Sequence, residues 1–170
     1  IDGSGSVQWN ARKLVTLADR LARECAGVVT VAGQGHLAVF ASGGFGPSRR
    51  IPDDAKRAYY DAGNEGDDAP ALRVTAALAP AWGQRLWISD GQVWERVYRV
   101  ANGQTHREAR YCGADVAREL AAGGWQWVLP PGLDTKQALH TVTEHPRLRP
   151  LLPWHAPAAT AWLARLWDTL

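Results

Sequence analysis

The segment Arg85–Tyr111, RLWISDGQVWERVYRVANGQTHREARY, carries the clearest structural pattern in this chain. Asp90-Gly91 and Asn102-Gly103 are dipeptides that favour two-residue hairpin turns, and runs rich in aromatic and β-branched residues flank them. The two turns predict a three-stranded antiparallel meander with strands at about 85–89, 92–101 and 104–111. We take this meander as the centre of the fold.

The turns also predict the register of the meander and therefore its two faces. One face carries three aromatic residues in a row across the strands, namely Trp87, Trp94 and Tyr111. The opposite face pairs Glu95 with Arg110, and opposite charges that meet across strands are typical of a solvated face. The aromatic face therefore needs a cover, which is either the helices of the same chain or a bound ligand.

The rest of the chain supplies a second hairpin and several helices. The second hairpin is predicted at about 28–40, and amphipathic or capped segments predict helices at about 11–26, 113–122, 135–145 and 158–170. The predicted fold class is α+β, with a mostly antiparallel sheet that helices cover on one face. We divide the chain into a flexible linker at 1–6, an α+β core at 7–132, and a C-terminal helical annex at 133–170 that packs on the core.

Composition and charge exclude several classes of protein. The chain has 170 residues, 46% hydrophobic and 21% charged, which is typical of a globular domain. It lacks an apolar run of about 18 residues, so no membrane partner is expected. Its two cysteines have no metal-ligand spacing and indicate a reducing, cytoplasmic location. The polar start and the lack of methionine suggest a piece of a longer protein, and the net charge of +2 permits a nucleic-acid partner without implying one.

The aromatic face of the meander is a candidate nucleic-acid surface. Bases stack on aromatic side chains, and nearby arginines bind phosphate. The candidate residues are Trp94, Arg96, Tyr98 and Arg107. The alternative is that the aromatic row packs under a helix in the core.

The glycine-rich stretch at 42–50 is a candidate anion site. Backbone N–H groups of Gly43 and Gly44 could approach a phosphate, and Arg49 and Arg50 would add positive charge. The stretch lacks the Gly-Lys-Ser/Thr ending of a phosphate-binding P-loop. An ordinary surface loop is the alternative interpretation.

Cys112 and His36 are the weak candidates for catalytic residues. Cys112 precedes a predicted helix, whose N-terminus would lower the pKa of the thiol and make it more nucleophilic. It also shares a helical face with Val116 and Leu120, which is typical of a buried structural cysteine. His36 follows a strand and is either a base or a turn residue. We predict no metal site, because His140 and His145 are five positions apart and do not share a helical face.

The last predicted helix carries apolar residues along one broad side. Its Trp162, Leu166 and Trp167 are candidates for binding a partner, as a helix docks in a groove. Packing of the same residues on their own domain is the alternative.

Three classes of function remain after these patterns are compared. We favour a non-catalytic interaction or regulatory domain of a larger multidomain protein, which binds a protein partner or a neighbouring domain of the same chain. The first alternative is a nucleic-acid-binding module that uses the aromatic and arginine residues of the sheet. The second is an enzyme or toxin domain centred on Cys112 or His36. No cofactor is predicted.

Overall fold

The computed structural model of this chain describes residues 1–3, 7, 10–24, 27–33, 36–41, 68–78 and 83–170. Within these ranges, the side chains of 11, 33, 36–41, 95–99, 107 and 109 lie outside the description. The candidate anion site at 42–50 lies outside it entirely.

Helices and strands alternate along the described chain, which is a mixed α+β fold as predicted. The helices are α1 Ala11–Glu24, α2 Asp68–Leu78, α3 Gly113–Gly123, α4 Thr135–Glu144 and α5 Pro157–Asp168, with a 3₁₀ helix at Arg149–Trp154. The strands are β1 Val28–Gly33, β2 His36–Ala41, β3 Arg85–Ile88, β4 Trp94–Ala101, β5 Gln104–Tyr111 and β6 Trp125–Val128.

Two antiparallel hairpins follow the sequence prediction. β1 pairs with β2, and β4 pairs with β5 in the predicted register, with Trp94 opposite Tyr111. At the β4–β5 turn, Asn102 has φ 52° and Gly103 has φ 74°. Positive φ at both central residues is the conformation that an Asn-Gly hairpin turn requires.

The first strand of the predicted meander has a different partner. β3 pairs in parallel with β6, with Trp87 opposite Trp127, instead of forming a hairpin with β4. The strand is buried on both faces, because Trp87 and the adjacent Ile88 are 4% and 3% exposed. Burial on both faces is typical of a parallel strand between helices. The described strands therefore form two antiparallel pairs and one parallel pair, in place of the predicted mostly antiparallel sheet.

The first three residues lie between β1 and β3, where the sequence predicts a flexible linker. The Asp2 N–H donates to the Ile88 carbonyl at 2.8 Å, and the Ala32 N–H donates to the Ile1 carbonyl at 2.9 Å. The Gly3 N–H donates to the Ala32 carbonyl at 2.7 Å. Ile1–Gly3 is an extended segment whose backbone groups bond to strands on both sides, with an isolated parallel bridge from Asp2 to Ala32. It links the β1–β2 hairpin to the β3–β6 pair.

Helices cover both faces of the central strands. On one face, Trp87 and Trp127 belong to the main core with residues of α2, α3 and α4. On the other face, Ile88 belongs to a second core with residues of α1 and α5. Alternation of side chains along β3 thus places successive residues in two different cores. Among the described helices, none combines the length and apolar content needed to cross a membrane.

Candidate functional site

Polar side chains meet where Ile1–Gly3 and β3 end. The Ser89 hydroxyl donates to Asp2 Oδ2 at 2.8 Å, and both residues are buried. Asp90, the next residue, is also buried. In sheets with parallel strands, ligands bind preferentially at the carboxyl ends of the strands, so this end is the first place to look for a site.

The turn after β3 is held by hydrogen bonds from its own residues. The Gly91 N–H donates to Ser89 Oγ at 3.1 Å, and the Gln92 N–H donates to Asp90 Oδ1 at 2.9 Å. Trp127 Nε1–H donates to the Ser89 carbonyl at 2.8 Å. After this turn, β4 begins at Trp94 and pairs with β5, in a sheet separate from the β3–β6 pair.

Three rings form a row beside this turn. The ring centroids of Trp94 and Tyr111 are 3.7 Å apart, and those of Tyr111 and His145 are 4.3 Å apart with an edge-on geometry. Tyr111 packs against the main core, whereas Trp94 is 41% exposed. We call Trp94, Tyr111 and His145 the Trp94 surface.

The pKa of Tyr111 is raised above its ordinary value of 10.0, mainly because the phenol is partly desolvated. The negative charge of Asp90 raises this pKa further. Tyr111 stays neutral at physiological pH and keeps its hydroxyl as a hydrogen-bond donor.

The side chains at this end of the sheet carry oxygen atoms, which are possible ligands of a metal ion. Asp2, Ser89 and Asp90 carry carboxylate and hydroxyl oxygens, and carboxylate oxygens are preferred ligands of hard divalent cations. Within the part of the chain that the structure describes, no three His, Cys, Asp or Glu side chains are arranged to hold a metal ion.

No protein-family model, curated protein or solved structure matches this chain.

The predicted nucleic-acid residues are described only in part. Trp94 is at the surface, stacked on Tyr111. Tyr98 and Arg107 are opposite each other on β4 and β5, and Arg96 is opposite Ala109. The side chains of these three residues lie outside the description. The predicted row of three aromatic rings is divided, because Trp87 is buried beside Trp127 at a centroid distance of 6.1 Å.

The two candidate catalytic residues have separate positions. The backbone of His36 opens β2, and its side chain lies outside the description. Cys112 is the N-cap residue of α3, and its thiol is 3.9 Å from the Val93 carbonyl. Cys112 is half-buried against the main core, next to Val116 and Leu120.

The apolar side of α5 faces the second core for most of its length. Leu163 is fully buried, and Leu166 and Trp167 pack against the residues of that core. Lys13 of α1 places its Nζ 5.1 Å from the centre of the Trp167 ring. Trp162 is 37% exposed and lines a cavity.

Two polar residues and one cavity are absent from the sequence-based candidates. Asp2 and Ser89 come together from positions 87 residues apart. Ser89 and Asp90 directly follow an apolar strand, and this pattern is the local signal that could have identified them. The cavity, with a volume of about 670 Å³, is between β1 and β3 and has no local sequence signal.

Proposed function

We propose that this chain is a non-catalytic interaction domain of a larger protein and that it binds a protein partner through the Trp94 surface. The observation that carries the proposal is the exposed Trp94 ring, whose centroid lies 3.7 Å from that of the tilted Tyr111 ring. Trp and Tyr are enriched among the few residues that contribute most of the binding energy in protein interfaces.

Contacts within the chain hold the surface in place. Tyr111 packs against the main core, and the Cys112 N–H donates to the Val93 carbonyl at 3.1 Å, which ties the two ends of the hairpin together. A side chain that is already ordered loses less conformational entropy on binding. This preorganisation supports an anchoring role for Trp94.

The rings of the surface favour a basic group on the partner. The faces of the Trp94 and Tyr111 rings attract cations. We infer that an arginine or lysine of the partner stacks on Trp94.

A nucleic-acid-binding module stays the second candidate. It is supported by the exposure of Trp94 and by the presence of Arg96 and Arg107 on the same hairpin. The enzyme or toxin hypothesis, the anion site at Gly43, Gly44, Arg49 and Arg50, and the cytoplasmic location stay predictions. For Cys112, the half-buried position supports a structural role.

Site-specific crosslinking tests the proposed function. A photoreactive phenylalanine analogue replaces Trp94 in one chain and Val15 in a control chain, because Val15 is 51% exposed on α1. The expected result is a discrete crosslinked protein from position 94 only. Excess unlabelled wild-type chain should suppress this crosslink. Trp94→Phe should suppress it partly, and Trp94→Ala should not suppress it.

A further arm separates the alternatives. Anisotropy of labelled oligonucleotides at low and near-physiological salt tests the nucleic-acid candidate, with Trp94→Ala as the comparison. Equal crosslinking from positions 94 and 15, or equal competition by wild type and Trp94→Ala, would reject the Trp94 surface as the binding site.

A further inference from the structure

The cavity between β1 and β3 lies on the side of Ile1 from which a preceding residue would enter. Its walls include the strand residues Val28, Thr30, Leu86 and Ile88. Helix residues close its two faces, with Leu72 of α2 on one side and Ala159 of α5 on the other. Its volume of about 670 Å³ is within the usual range of ligand pockets, roughly 300–1,000 Å³.

Backbone groups of both strands face this cavity. Ile88 accepts from Asp2 on the cavity side, whereas the Ser89 N–H donates to Val128 on the β6 side. Since successive residues of a strand direct their backbone groups to opposite sides, Leu86 also faces the cavity. On β1, the Thr30 carbonyl accepts from the Ile1 nitrogen at 2.6 Å and therefore faces the same way.

Ile1–Gly3 fills only one end of this space. It forms a parallel bridge with Ala32, and its hydrogen bonds reach both β1 and β3. Neighbouring strands are about 4.7–4.9 Å apart, so a space bridged on both sides by one short strand has the width of one strand. The remaining space is alongside Val28–Thr30 and the start of β3.

The Ile1 nitrogen donates to the Thr30 carbonyl at 2.6 Å, in surroundings that disfavour its charged form. Burial lowers the pKa of this amine to about 6, although the charges of Asp2 and Asp68 act in the opposite direction. An amide at the same position would donate the same hydrogen bond to Thr30 without placing a charge in a buried site.

We propose that this cavity is a strand-binding slot, which takes an extended apolar peptide that runs parallel to β3 and in line with Ile1–Gly3. The strand would pair with Thr30 and Val28 on one side and with Leu86 on the other, as in other cases of strand addition to a sheet. The slot holds about three or four residues at the usual rise per residue. Their side chains would point alternately toward α2 and toward α5, so apolar residues fit and charged residues do not. This slot is separate from the Trp94 surface, and its test is independent of the proposed function.

Two extended chains test the slot. One carries Val-Ile-Val-Val ahead of Ile1, and the control carries Gly-Ser-Gly-Ser, so both replace the Ile1 amine by an amide. We expect the apolar extension to raise Tm by about 5 °C or more relative to the control. Hydrogen exchange should slow at the Thr30 and Leu86 amides, whereas Val29 and Trp87, whose amides face β2 and β6, should change less.

A third variant blocks the slot. Ala159→Trp places a large side chain in the cavity and should remove the difference between the two extensions. If Ala159→Trp does not fold, the exchange rates of Thr30 and Leu86 in the two extended chains decide the question alone. Equal Tm values together with equal exchange at these two amides would overturn the proposal.

Discussion

Ser89 Oγ lies 2.8 Å from Asp2 Oδ2, so a hydrogen bond joins the end of β3 to the start of the chain across 87 positions of sequence. Both residues are buried. The same hydroxyl accepts the Gly91 N–H, so one side chain orders the turn after β3 and fixes the short strand at Ile1–Gly3. The geometry of the carboxyl end of the sheet depends on this residue.

Ser89→Ala should therefore destabilise the chain. The change removes a donor to Asp2 and the acceptor of the Gly91 N–H, and we expect a loss of about 1–3 kcal/mol in the free energy of unfolding. Urea unfolding measures it. The control is Thr16→Ala, which removes an exposed hydroxyl from α1 and should cost less than about 0.5 kcal/mol. Similar losses for the two variants would show that the Ser89 bonds contribute little.

Gly91→Ala and Gly103→Ala separate a backbone effect from a packing effect. Both glycines have positive φ, 77° and 74°, so an alanine is strained at either position. A Cβ at Gly91 would approach Trp127 Cζ2 to 2.6 Å, whereas a Cβ at Gly103 has no neighbour within 4 Å. We expect Gly91→Ala to cost about 1–3 kcal/mol more than Gly103→Ala, as overpacking usually does. Equal costs in urea unfolding would mean that Trp127 moves aside freely.

The buried amine of Ile1 should make the stability of this 170-residue chain depend on pH. Its pKa falls from 8.0 to about 6 on folding, so between these values the unfolded chain binds more protons. Stability should therefore rise as pH increases from about 6 to 8, and it should be lost as pH falls through the same window. The full effect is about 3 kcal/mol.

Acetylation of the Ile1 amine provides the control for this pH effect. The acetylated chain should lose the slope between pH 6 and 8 and should be more stable at pH 6. Thermal unfolding of both forms across this range measures the difference. His155, whose pKa burial also lowers from 6.5, contributes to the remaining slope in both forms. Parallel curves for the two forms would contradict the burial of the amine.

Trp87→Ala and Trp94→Ala compare two rings that the sequence places in one row. Trp87 is 4% exposed beside Trp127, so its removal should cost about 3–5 kcal/mol. Trp94 contributes mainly its stack on Tyr111, so its removal should cost about 0.5–1.5 kcal/mol. Denaturant unfolding of both variants makes the comparison, and a larger cost for Trp94 would contradict the division of the row.

The two turns of the 85–111 segment show which features local sequence can predict and which it cannot. Asn102-Gly103 is predicted correctly, together with the register of β4 and β5, because the positive φ values and the pairing are set by adjacent residues. Asp90-Gly91 has the same local signal. At this turn, however, hydrogen bonds within Ser89–Gln92 hold the chain, and β3 pairs with β6 instead of with β4.

Only part of the candidate site could be predicted from the sequence. Trp94 and its pairing with Tyr111 follow from the hairpin register, and Cys112 beside Val116 and Leu120 follows from helical spacing. Asp2 was hidden in a polar start that resembles a linker. Its burial depends on strands that begin at positions 28 and 85. The residues next to Asp2 in the sequence do not indicate that it packs against these strands.

The sequence by itself determined the mixed α+β class, the two hairpins and most helix positions, because turns, caps and periodicity act over a few residues. Only the tertiary structure decided that β3 pairs with β6, that Ile1–Gly3 joins β1 to β3, and that Trp87 is buried while Trp94 is exposed. These features depend on which apolar faces meet across long stretches of chain. β3 is apolar on both faces, and it buries both only between two layers of helices, which a hairpin with β4 would not provide.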